Sequence, residues 1–68
     1  MTTDDLIRAI KKFTAENGRG PNSIQELQES LVAELNTSVS DTNVRDELGK
    51  AVQVGIVGID GNGCFVVR

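Results

Sequence analysis

The sequence has no histidine, no tryptophan and no tyrosine, and in 68 residues it has one cysteine, one proline and two phenylalanines. Each shortage removes something. Without histidine, the commonest metal ligand and the commonest general base are missing. A single cysteine, Cys64, excludes an intrachain disulfide and any multi-cysteine metal site. No positive charge stands near it in sequence to lower its pKa, so it reads as a small apolar strand residue. With Phe13 and Phe65 as the only aromatics, the core has to be aliphatic. No apolar run approaches the roughly 20 residues of a membrane span. The opening MTTDDLIRAI lacks the basic-then-apolar order of a secretory signal. The expectation is a cytoplasmic protein that is not an enzyme and carries no metal and no cofactor.

Basic charge is also scarce. The net charge is −3, and residues 21–40 hold three acidic residues and no basic one. Residues 1–20 are the only basic third, with four basic and three acidic side chains. A general basic footprint for nucleic acid is therefore absent, and nucleic-acid binding has to rest on a local patch. The length allows one domain, residues 1–68, which buries only about 60% of the surface of its unfolded chain. Nearly every large apolar side chain is needed in a single core.

Three helices can be read from caps and apolar spacing. Thr2 or Thr3 caps the first, whose stripe is Leu6, Ile7, Ile10 and Phe13 and whose end is Asn17-Gly18. Ser23-Ile-Gln-Glu26 has the capping-box pattern, with Ile24, Leu27, Leu31 and Leu35 as the second stripe, ending near Leu35 or Asn36. Ser40 or Asp41 caps the third, with Val44, Leu48, Ala51 and Val52 inward and Gly55 as its stop. Within helices, the spacing pairs Arg8 with Asp4, Lys12 with Glu16 and Lys50 with Asp46.

The run Gly55-Ile-Val-Gly-Ile-Asp-Gly-Asn-Gly63 has four glycines in nine residues. A P-loop needs a lysine and a Ser/Thr directly after its last glycine, and Cys64-Phe-Val-Val-Arg68 supplies neither. A dinucleotide fingerprint has to open a helix of about a dozen residues, and five residues follow Gly63. A β-hairpin fits: Ile56–Asp60 and Cys64–Arg68 are rich in β-branched residues, and Gly61-Asn-Gly63 is turn chemistry. A lone hairpin is not stable in water, so it has to pack on the helices, with Phe65 and Val67 inward and Val66 outward. An extended piece near Pro21 or Thr37–Val39 is a candidate third strand.

Three helices followed by a hairpin resemble the winged helix-turn-helix superfamily, an α+β fold. The stretch Phe13-Thr-Ala-Glu-Asn-Gly-Arg-Gly-Pro-Asn-Ser-Ile-Gln-Glu-Leu27 is similar to the helix 1–helix 2 junction of the N-terminal DNA-binding domain of SOS-repressor proteins. Val44-x-x-x-Leu48 followed by Gly55-Ile-Val57 resembles a recognition helix entering the first wing strand. Two departures stand out: helix 2 is longer and more acidic than in most such repressors, and the wing tip Asp60-Gly-Asn-Gly63 has no lysine or arginine.

The resemblance implies a small prokaryotic or phage transcriptional regulator that binds double-stranded DNA, with helix 3 reading the major groove. Helical spacing leaves Thr42, Asn43, Asp46, Gly49, Lys50 and Gln53 outward, with Arg45 on the flank. Thr42, Asn43, Arg45, Lys50 and Gln53 are the candidate DNA contacts on this helix, and Arg19 in the preceding loop is a candidate phosphate contact. The plain alternative is a solvated helix face. Arg8, Lys11, Lys12 and Arg19 form the only basic cluster, too thin without aromatics to be a footprint alone. The acidic second helix and uncharged tip fit a second function, a winged-helix module that binds a protein partner or a second copy without DNA.

Overall fold

Thr2, Ser23 and Ser40 each cap a helix, and these three caps set the frame of the molecule. The structure, a computed structural model, describes residues 1–68. It contains α1 (Thr3–Asn17), α2 (Ile24–Leu35) and α3 (Asp41–Gln53), then β1 (Val57–Ile59) and β2 (Phe65–Val67). Thr2 accepts the Asp5 amide, and the Asp5 carboxylate accepts the Thr2 amide at 2.9 Å, a full capping box. Ser23 accepts the Glu26 amide at 3.1 Å, but the box is not closed as the pattern predicts. The Glu26 carboxylate instead takes the Asn22 amide, one residue earlier, at 2.9 Å. Gly18 ends α1 at φ 72° and Asn36 ends α2 at φ 54°, both left-handed.

The core is aliphatic. Leu6, Ala9 and Ile10 of α1, Leu27 and Leu31 of α2, Val44, Leu48 and Ala51 of α3, and Val57 of β1 form one buried cluster. Fully burying one Leu, Ile or Val contributes roughly 1.5–3 kcal/mol. Ala9 joins the core although it lies outside the expected stripe, whereas Ile7 is only half-buried. Val52 is 41% exposed rather than inward. At about 100° per residue it stands about 80° round the helix from Val44, so it falls off the edge of the packed stripe.

β1 and β2 pair antiparallel, with Val57 opposite Val67, Gly58 opposite Val66 and Ile59 opposite Phe65. Asp60 builds the turn. Its carboxylate accepts the amides of Asn62 (2.8 Å) and Cys64 (3.0 Å), and Gly63 adopts φ 79°. Phe65 and Val67 pack against the core cluster but are only partly buried, and Val66 is half-buried as well. The sheet has two strands, so neither expected extension becomes a third. Near Pro21 one trace of it survives: the Phe65 amide donates to the Pro21 carbonyl at 2.7 Å. Gly20 makes this docking feasible, because a Cβ there would overlap the Phe65 carbonyl oxygen. Three helices with a C-terminal two-stranded hairpin make a small α+β domain, a layout compatible with a winged helix.

Candidate functional site

α3 is held in place by the residues around its start. Ser40 accepts the Asn43 amide at 3.1 Å. Gln28 of α2 donates to the Val39 carbonyl at 2.7 Å and pins the loop that leads in. Val44, Leu48 and Ala51 then turn one face into the core. The opposite face is fixed by helical geometry, and Thr42, Asn43, Arg45, Asp46, Gly49, Lys50 and Gln53 are all exposed on it. Five of the six predicted contacts, Thr42, Asn43, Arg45, Lys50 and Gln53, therefore share one exposed helix surface. Gly49 has open space where a side chain would be.

The charges on this face are engaged locally. Arg45 Nε donates to Asp41 Oδ2 at 2.8 Å. Lys50 Nζ stands 3.8 Å from Glu47 Oε1, not beside Asp46 as its spacing suggests. Glu47 is turned inward, where it also accepts the Thr3 hydroxyl at 3.3 Å, so it is the carboxylate that Lys50 meets. Asp46 has no ion-pair partner. α3 carries three acidic and two basic side chains, so its surface has no positive excess.

Arg19 is elsewhere and is occupied. Its guanidinium grips Glu26 with two bonds of 3.0 Å and bonds the Gly20 carbonyl at 3.0 Å. It also lies 5.3 Å from the centre of the Phe13 ring, within cation–π range. Arg19, followed by the Asn22 amide, holds the Glu26 carboxyl at a pKa of about 2, well below the usual range. None of the partners of Arg19 belongs to α3.

In the expected basic cluster, Arg8 and Lys12 both turn to Glu34 of α2, and Arg8 also pairs with Asp5 inside α1. Arg8 bonds Asp5 and Glu34, and Lys12 faces Glu34 at 3.9 Å; Asp4 and Glu16 are not their partners. The basic side of α1 meets the acidic side of α2, so cross-helix partners displace the i, i+4 ones. Five of the seven basic residues are in ion pairs, which leaves Lys11 and Arg68 outside any. The Arg68 side chain lies over Gly58. Sequence reasoning missed Asp41 as the partner of Arg45, although their i, i+4 spacing is the signal for it.

No group of three or more Cys, Asp or Glu side chains is arranged to hold a metal ion. No helix is long and apolar enough to cross a membrane. No protein-family model, curated protein or solved structure matches this chain.

Proposed function

We propose that this chain is a small winged-helix DNA-binding protein, a transcriptional regulator whose α3 lies in the major groove. The outward face of α3 supports this reading. On it Thr42, Asn43, Arg45, Lys50 and Gln53 are exposed and carry groups able to bond base edges or phosphates. The ion pairs there do not oppose it strongly. The Arg45 and Asp41 side chains are 62% and 55% exposed, and exposed pairs are worth only about 0–1 kcal/mol. Arg45 can exchange Asp41 for a phosphate at little cost. Arg19, clamped by Glu26 and Phe13, is left out of the proposed surface.

Fluorescence anisotropy with labelled genomic duplexes at low salt tests the reading. Binding is expected to weaken steeply as salt rises, because neutralised phosphates release counterions. Arg45→Ala with Lys50→Ala is expected to flatten that salt slope by about two units, one for each phosphate no longer neutralised. Duplex DNA left unbound at low salt and near-millimolar protein would sink the proposal.

The acidic excess on α3 favours a second reading, in which the same face docks a protein and no DNA is bound. Asp46→Asn separates the two. Removing an unpaired negative charge from a DNA-facing surface tightens DNA binding several-fold. On a protein-docking surface it creates no DNA binding at all.

A further inference from the structure

The outer edge of β2 is only half covered. The Asp60 amide donates to the Cys64 carbonyl and the Arg68 amide donates to the Ile56 carbonyl. Cys64, Val66 and Arg68 therefore turn their backbone groups towards β1, and by the alternation of an antiparallel ladder Phe65 and Val67 turn theirs outward. At Phe65 the outward amide is taken by the Pro21 carbonyl. At Val67, one step along, no loop or cap of the chain bonds the outward amide or carbonyl. An unpaired strand edge is a template for a further strand.

Beside this open stretch lies a groove of about 360 Å³ between α1 and β2. Ile10, Lys11, Thr14 and Ala15 line one side, Val66 and Val67 the other. Ile10 is closed off beneath, so the accessible apolar surface comes from exposed Ala15 and the half-buried valines. The Thr14 hydroxyl is spent on the Ile10 carbonyl at 2.8 Å. No acidic side chain lines the groove, and Lys11 is in no ion pair. Arg68, the other cation outside any ion pair, follows Val67 directly. In a chain of net charge −3, this groove is flanked by the two basic residues that no acid neutralises.

We propose that the α1–β2 groove takes an extended, acidic segment of a partner protein as a third strand. That segment pairs with the Val67 backbone, lays an aliphatic side chain on Ala15 and Val66, and sets a carboxylate against Lys11. The open groups are those of a sheet edge, which selects a strand, and the unpaired lysine selects an acid. Backbone bonds then hold the segment while side-chain contacts discriminate, as in strand addition generally. The groove lies on α1 and β2, so the inference does not depend on what the outward face of α3 binds.

Selection from a phage-displayed library of random decapeptides on the immobilised full chain, followed by NMR with an enriched peptide, is the test. Enriched peptides are expected to carry Asp or Glu one or two residues from Val, Ile or Leu. Ala15→Trp, which fills the groove and keeps the lysine, is expected to weaken them tenfold or more. Lys11→Gln is expected to weaken them several-fold, whereas Gln25→Glu, with the same change in net charge on α2, leaves affinity unchanged. All three positions are exposed, and thermal melts verify that the variants stay folded. Bound peptide is expected to slow hydrogen exchange at the Val67 amide, the sign of a new ladder bond. The inference fails if no peptides are enriched, or if Lys11→Gln or Ala15→Trp binds them as well as the parent. It fails also if Gln25→Glu weakens them as much as Lys11→Gln, or if the Val67 amide exchanges as fast with peptide as without.

Discussion

Glu26 does three things with one carboxylate: it bonds the guanidinium of Arg19, takes the Asn22 amide and sits in the first turn of α2. Its pKa is lowered from 4.5 to about 2, so its contribution to stability is fully present above 4.5 and is lost as pH falls towards 2. The Asp5 carboxyl, lowered first by the Thr2 amide, acts in the same direction. Urea midpoints are expected to drop across that acid window, and Glu26→Gln is expected to be less stable at neutral pH with a shallower acid slope. An unchanged slope would detach Glu26 from the acid response. Two glycines give opposite expectations. Gly20→Ala forces a methyl group into the Phe65 carbonyl, and overpacking of this kind costs about 1–3 kcal/mol. Gly49→Ala meets nothing and is expected to stabilise by about 1 kcal/mol, raising Tm by about 4–8 °C. If α3 approaches DNA through its backbone at Gly49, the same variant binds DNA less tightly while melting higher. Anisotropy and thermal melts on one sample check both outcomes.

At the scale of elements, the hairpin depends most on one side chain. Asp60 bridges two amides across the turn, so the only charge at the hairpin tip has a structural task. Asp60→Ala is expected to cost about 1.5–3 kcal/mol, the range for hydrogen bonds to a charged group. Loss of amide-exchange protection at Gly58 and Val66 before the helices open is the accompanying sign, and full retention of it would refute the assignment. The elements themselves were legible in the residues. Ser23 and Ser40 as caps, Gly18 and Gly55 as stops and the glycine-rich turn all lie where short-range chemistry puts them. Local spacing failed where a partner came from another element. Arg8 and Lys12 turn to Glu34 on α2, and the Glu26 side chain turns to Asn22 and Arg19 rather than closing its box.

For the whole molecule, stability follows from size. At about 0.05–0.15 kcal/mol per residue a chain this long is held by only some 3–10 kcal/mol. Leu31 is fully buried at the junction of the helices, and Leu31→Ala is expected to cost about 2–5 kcal/mol. Circular dichroism of that variant is expected to show a broad melt and a large unfolded fraction at 37 °C. The aliphatic composition, the caps and the apolar spacing were enough by themselves to determine three helices, a hairpin and one shared core, because each depends on residues within a turn or two of one another. The outward face of α3 was determined the same way, since burying Val44, Leu48 and Ala51 leaves a single direction for Thr42, Asn43 and Gln53. Only the tertiary structure decided which charges meet, that Arg19 is spent on Glu26 and Phe13, that Pro21 reaches β2 through one hydrogen bond, and that α1 and β2 border a groove. Those are distances between segments far apart in the chain, and they are set by how the helices pack rather than by the spacing of residues along any one of them.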